Sequence, residues 1–245
     1  TDGTPATDWT SGWSNFDPEN TNYPTTTSTL SSDITTNTTI GGNVLLQNKV
    51  YVTNGATLTI LPGTIIRGDK ATQGTLIITK GCKIIAEGTQ NLPIVFTSNE
   101  SVGNRAEGDW GGLVILGQAT NNQPGGVANI EGIVPTANTQ YGGSDDNDNS
   151  GSLKYVRVEF AGIALEPNKE INGITFGSVG RATQVDYVQV SFSGDDSYEW
   201  FGGTVDCKHL IAYRGIDDDF DTDFGYRGRI QFGLIIRDNT MYDAA

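Results

Sequence analysis

The sequence predicts an all-β protein built as a parallel β-helix, and three observations carry that expectation. Short β-type runs recur from residue 44 onward, each closed by Gly, Asn or Pro: VLLQNKVYVTNG, ATLTILPGTIIRG, TLIITKGCKIIAEGT, LPIVFTS and GGLVILG. No amphipathic helical period of useful length competes with them. The runs also repeat one another in register. VTNGATLTILPGT at 52–64 aligns with ITKGCKIIAEGT at 78–89, pairing Gly55 with Gly81 and Leu58 with Ile84. LKYVRVEFAG at 153–162 aligns with VDYVQVSFSG at 185–194, pairing Tyr155 with Tyr187, Val158 with Val190 and Phe160 with Phe192. CKHLIAY at 207–213 follows at a spacing of 22, pairing Val188 with Leu210 and Val190 with Ala212. Imperfect repeats of roughly twenty to thirty residues, all strand and turn, are coils of a solenoid. A β-sandwich has strands and turns without that repeated register.

Residues 1–43 read as an N-terminal cap segment. They are polar and Thr-rich, yet Trp9, Trp13, Phe16 and Tyr23 are more rings than a disordered tail carries. The expectation is a lid packed over one end of the body, with a sugar-binding ring platform as the functional alternative. The β-helix is expected to occupy 44–245. Trp110-Gly111-Gly112 and Gly202-Gly203 fit tight corners that only glycine tolerates. Cys82 and Cys207 show no CxxC or metal-ligand spacing. Several coils at roughly 4.8 Å each separate them beyond bridging distance, so both are expected to be free, buried thiols. The single histidine, His209, aligns with Tyr187 and reads as a packed or stacked side chain.

Bulk charge narrows the function. A formal net charge of −14 repels nucleic acid and anionic lipid and favours cations. No nucleic-acid partner is expected, and no apolar run approaches the roughly 18 residues of a membrane span.

The acidic residues concentrate in GIDDDFDTDFG at 215–225, which holds Asp217, Asp218, Asp219, Asp221 and Asp223. The 22-residue spacing places Asp195 over Asp217 and Asp196 over Asp218 on adjacent coils. Carboxylates that close repel by about 1–4 kcal/mol per pair. A divalent cation, Arg214, Arg227 and Arg229, or protonation would neutralise them. Calcium suits an all-oxygen set, whereas one histidine and no nearby cysteine argue against zinc or copper. Turn capping by aspartate is the competing explanation. A second acidic loop, GGSDDNDNSG at 142–151, alternates Asp146, Asp148 and Ser150 ahead of Gly151. Position 12 counted from Asp146 is Arg157 rather than the glutamate of an EF-hand, leaving a non-EF calcium loop or a plain polar turn.

Several longer motifs resemble a family: DWTSGWSNFDPENTNYP, GDWGGLVILG, NDNSGSLKYVRVEFAGI, EINGITFGSVG, SGDDSYEWFGGTV and RGIDDDFDTDFGYRGRIQFGL. They are similar to secreted Bacteroidetes-type right-handed parallel β-helix proteins of pectin-lyase-like shape, often exported by the type IX route and mostly without an assigned activity. The resemblance implies the fold and an extracellular or cell-surface location, and no particular reaction. Such chains usually continue beyond the strand at QFGLIIRD, often into a C-terminal sorting domain.

The residues themselves give a catalytic alternative. SGDDS resembles the paired aspartates of polygalacturonase-type hydrolases, but the N-T-D, G-H-G and R-x-K segments of those enzymes are missing. Lyase chemistry needs a base beside calcium, for which Arg214, Arg227 or Lys208 are candidates. Glu199 is a further acid, with Trp200 as a sugar-stacking ring. The sequence therefore points first to a non-catalytic extracellular structural or adhesive module, calcium-stabilised and self-associating. Its partners would be its own copies, other surface proteins or polysaccharide. Residues 238–245 either cover the last coil or leave it to a further C-terminal part or another subunit. A carbohydrate-active β-helix using the stacked aspartates is the alternative.

Overall fold

The computed structural model describes residues 8–166 and 169–242. The strands in chain order are β1 (Ser28–Leu30), β2 (Thr38–Ile40), β3 (Asn43–Leu46), β4 (Lys49–Val52), β5 (Thr57–Ile60), β6 (Ile65–Gly68) and β7 (Thr75–Ile78). There follow β8 (Lys83–Glu87), β9 (Ile94–Ser98), β10 (Gly112–Leu116), β11 (Ala128–Asn129), β12 (Gln140–Tyr141), β13 (Gly151–Glu159), β14 (Ala164–Glu166) and β15 (Lys169–Glu170). The last are β16 (Ile174–Gly177), β17 (Gln184–Ser191), β18 (Tyr198–Phe201), β19 (Cys207–Tyr213), β20 (Phe220–Asp223) and β21 (Ile230–Ile236). One parallel sheet runs β1-β3-β6-β9-β13-β17-β19-β21, with β2-β5-β8 joining it at β13. A second parallel sheet runs β20-β18-β16-β10-β7-β4. Thus β1 and β2 stack in parallel with β3 and β5, ahead of the boundary at residue 44 that sequence texture suggests.

Alternation explains the interior. β3, β4, β5 and β6 each alternate half-buried and buried residues, so Val44, Leu46, Val50, Val52, Leu58 and Ile66 point inward. β10 and β16 are buried on both faces, because Val114 and Leu116 pack outward against Ile130, Tyr141 and Ile171. An inward column of rings, Phe176 on Trp200 at 5.6 Å and Trp200 on Tyr226 at 5.5 Å, fills the later coils.

β13 pairs with both β8 and β9, so two separate early strands merge into one long one. The corner between them is a single left-handed residue, Tyr155, at φ +48°. The same corner recurs at Tyr187, His209 and Phe232, with φ of 57°, 50° and 62°. Each such residue costs about 1–2 kcal/mol of backbone strain, and stacking offsets it. Tyr155 lies 4.6 Å from Tyr187, Tyr187 4.2 Å from His209, and His209 4.8 Å from Phe232. His209 is therefore a rung of a ring ladder, as its alignment with Tyr187 suggests.

The N-terminal segment divides: β1 and β2 add the first rungs at the end of the solenoid, whereas residues 8–24 form a strap along its side rather than a lid. Trp13 meets Tyr155 and Tyr187 edge-on at 6.0 and 5.9 Å, Trp9 lies 5.2 Å from His209, and Phe16 meets Tyr213 edge-on at 5.2 Å. Polar contacts fasten it: Asn15 N donates to Gln189 Oε1 at 2.8 Å, and the Tyr23 hydroxyl lies 2.9 Å from both oxygens of buried Glu159. Arg105 donates to the carbonyls of Pro18 and Thr21. The ring ladder offers apolar surface along the side, so the strap's rings go there. Trp13 is 1 % exposed and presents no ring face to a sugar. Residues 1–7 of the expected cap lie outside the described residues.

Beyond β21, Asp238 pairs with Arg214 at 3.3 Å and Met241 packs beside the Trp13–Phe160–Phe192 cluster, at the side of the coils. Residues 243–245 lie outside the described residues. Both cysteines are free and buried. Among the described residues, no helix is long and apolar enough to cross a membrane.

Candidate functional site

The acidic residues meet where β17 turns into β18 and β19 into β20. β16, β18 and β20 are in register, so Thr175, Glu199 and Asp221 form one rung pointing away from the column of Phe176 and Trp200. The turn before each strand is stacked too. Asp196 Oδ1 accepts the Asp218 backbone N–H at 2.9 Å, and the Asp196 carbonyl accepts the Gly173 N–H at 2.9 Å. Two groups of carboxylates result, each with its oxygens within 4.8 Å of one another. One comprises Asp195, Asp196 and Asp217; the other comprises Asp196, Glu199 and Asp221.

Asp196 and Glu199 are 7 % and 8 % exposed. Burial, reinforced by neighbouring Asp195, pushes Asp196 up to about 8 against the opposing Asp218 N–H. Burial and then the charge of Asp196 push Glu199 up to about 9. Asp221 is raised by burial and by Asp223. Asn172 Nδ2 donates to Glu199 Oε2 and, at 3.2 Å, to Thr175 Oγ1. Among the described residues no lysine or arginine forms an ion pair with Asp196, Glu199 or Asp221. Chemically the corner can share protons between carboxyl groups or hold a cation against oxygen ligands.

A family model described as a pectate-lyase-like β-helix domain matches residues 28–244. The chain belongs to the pectate-lyase-like β-helix family. With its parallel sheets, that makes the fold a right-handed parallel β-helix. No curated protein and no solved structure matches the chain.

Within this pectate-lyase-like β-helix, the expected site residues divide. The 22-residue offset does bring Asp195, Asp196 and Asp217 together. Asp218 contributes its backbone N–H, and Asp219 pairs with Arg237 at 3.1 Å. Asp223 closes β20, its carbonyl accepting from Gly202 and Tyr226, and belongs to neither carboxylate group. Asp146 accepts Thr120 N–H and Oγ1–H and pairs with Arg227 at 2.8 Å. Asp148 turns elsewhere, accepting from Ser150 Oγ at 3.0 Å and Gln118 Nε2 at 3.2 Å. The alternating loop therefore does not converge its carboxylates on one point.

The arginines expected to neutralise the aspartates are committed to other partners. Arg214 pairs with Glu19 and Asp238, Arg227 with Asp146, and Arg229 with Asp206. Arg237, which the sequence did not single out, reaches this corner, also donating to the carbonyls of Asp217 and Ile216. Trp200 is wholly buried in the ring column, so it is no sugar-stacking platform. Asn172 was missed as well, although its signal is present in the sequence. Aligning Ile174, Tyr198 and Phe220, as the strands pair, places Asn172, Asp196 and Asp218 at one position of successive coils.

Proposed function

We propose that the protein is a non-catalytic structural or adhesive β-helix module that works outside the cell or on its surface. The observation that carries this is the fate of the side chains an enzyme would enlist. Trp200 is spent on the core column, and His209 is stacked between Tyr187 and Phe232 with Nδ1 2.7 Å from Asp186. Among the described residues β20 and β21 are the last strands of their sheets, and a further coil, of this chain or of a second copy, would pair there. Phe232 and Ile235 are exposed there.

One observation favours a carbohydrate-active second reading. Asp196 and Glu199 are two buried carboxyl groups held close together, and a close carboxyl pair is what a retaining glycosidase uses. Incubation with neutral and uronic-acid polysaccharides in the presence of calcium distinguishes the two. New reducing ends and unsaturated uronate absorbance are measured alongside co-sedimentation with insoluble polysaccharide. No product is expected, whether or not the protein sediments with the polymer. Products that form with wild type and vanish with Glu199→Gln overturn the structural assignment.

A further inference from the structure

We propose that the strap, residues 8–24, is exchanged between copies of the chain: the strap of one copy seats on the body of a second, and reciprocal exchange gives a closed two-fold dimer. This goes beyond the reading above by naming a partner and the surface that receives it, and it does not depend on whether the module is catalytic.

The body holds the strap as a groove holds a peptide. Its donors read main-chain carbonyls: Arg157 reaches that of Trp13 at 3.1 Å, Gln189 that of Asn15 at 2.7 Å, and Arg67 that of Tyr23. Arg105 reaches those of Pro18 and Thr21 at 2.7 and 2.9 Å. Rings set the register, with Trp13 edge-on to Tyr155 and Tyr187 and Phe16 edge-on to Tyr213. Charge matches as well. Residues 8–24 hold Asp8, Asp17 and Glu19 and no lysine or arginine. In a chain of formal net charge −14, the face beneath them presents Arg67, Arg105, Arg157 and Arg214, the last 3.6 Å from Glu19. Main-chain donors, ring contacts and complementary charge select this segment as the occupant.

None of these contacts requires strap and body to share a chain, and the hinge favours exchange. The body holds Tyr23 through Arg67 and Glu159, and Thr27 is already bonded to the Asn43 carbonyl, so the hinge is residues 24–26. Pro24 and Thr25 are exposed, Thr26 is half-buried, and no regular structure stiffens them. The fit is least complete beside this hinge. Arg67 and Arg157 both donate to Tyr23, yet the Nε of each is buried without a hydrogen-bond partner, which is unfavourable. A strap from a second copy reproduces every contact while the hinge extends, and a short hinge with an imperfect fit invites that rearrangement. The tether gives the strap a millimolar local concentration on its own body, so exchange belongs to concentrated protein.

A cysteine pair, Ser11→Cys with Gln90→Cys, reads which chain supplies the strap. Gln90 Nε2 donates to the Ser11 carbonyl at 2.8 Å, both residues are exposed, and the native cysteines are buried. The full chain is incubated in the millimolar range and separated by size-exclusion chromatography with light scattering. Each fraction is then treated with a short bis-maleimide and run on a denaturing gel. A dimer fraction is expected, cross-linking between chains into a covalent dimer, whereas the monomer fraction cross-links within the chain. Inserting Gly-Gly-Ser after Pro24 is expected to lower the dimer fraction several-fold, because a longer hinge relaxes the strap on its own body. Ile235→Lys, at the exposed end of β21, is expected to leave the dimer fraction unchanged. A chain that stays monomeric overturns the proposal. So does a dimer whose straps cross-link only within their own chains, or one that Ile235→Lys abolishes, which would assign association to the strand end instead.

Discussion

Replacing Trp13 with alanine is expected to cost about 3–5 kcal/mol, the range for removing a fully buried large aromatic. Trp13 is closed off by Tyr155 and Tyr187, its Nε1 donates to the Trp9 carbonyl at 2.8 Å, and Arg157 donates to its own carbonyl at 3.1 Å. Truncation leaves a cavity between strap and ladder and loosens two polar fastenings together. Urea unfolding measures the loss, and limited proteolysis should cut first near residues 8–24. Phe16→Ala, at a ring 38 % exposed, is the internal comparison and should cost distinctly less. A Trp13→Ala penalty below about 1 kcal/mol would mean that the strap contributes little to the fold.

Gly151→Ala is expected to be more damaging still. Gly151 opens β13 at φ +112°, opposite Ile84 of β8. A β-carbon there would stand 1.8 Å from the Ile84 carbonyl oxygen. The obstacle is backbone in a paired strand, so relief requires breaking the junction at which β8 and β9 merge onto β13. A loss above about 3 kcal/mol, or failure to accumulate as folded protein, is expected. Gly125→Ala separates strain from collision: its φ is +78°, yet nothing lies within 4 Å of the added carbon. It should cost only about 1–2 kcal/mol. Soluble yield and circular dichroism of the two variants, side by side, check the contrast.

The coil register was legible because solenoid neighbours are sequence neighbours at a fixed offset. Leu58 opposite Ile84, Val158 opposite Val190 and Val188 opposite Leu210 are pairs that the repeats give and the sheets contain. The corners were not legible in the same way. Tyr155 and Tyr187 align as strand residues, and nothing in their type announces a left-handed backbone. Ring stacking between coils stabilises that conformation, and stacking is a property of the assembled solenoid. The strap misled for a similar reason: its rings announce burial but not against which surface.

At the acidic corner, the offset of 22 was enough to bring Asp195, Asp196 and Asp217 together. Glu199 reads from the sequence as a further acid beside Trp200, with no sign of which carboxylates it joins. Its position on the rung with Asp221 emerges only when YEWF is set over FDTD. The arginine partners were unreadable, since a long side chain leaving a turn reaches several carboxylates and the coil geometry decides among them. Arg214, leaving the turn after β19, reaches Glu19 in the strap, a contact that no local spacing encodes.

The central claim is that the acidic corner serves the integrity of the β-helix rather than turnover. The most direct test is the thermal unfolding midpoint of wild type and Glu199→Gln, each in millimolar calcium and in excess EDTA. At a hundredfold excess over Kd, a bound ion contributes about 2.7 kcal/mol, which corresponds to roughly 5–10 °C for a chain of this size. Wild type is expected to rise by that amount in calcium, while Glu199→Gln unfolds at the same temperature in both solutions. A wild-type midpoint unmoved by calcium, or a Glu199→Gln variant that gains as much as wild type, would contradict the claim.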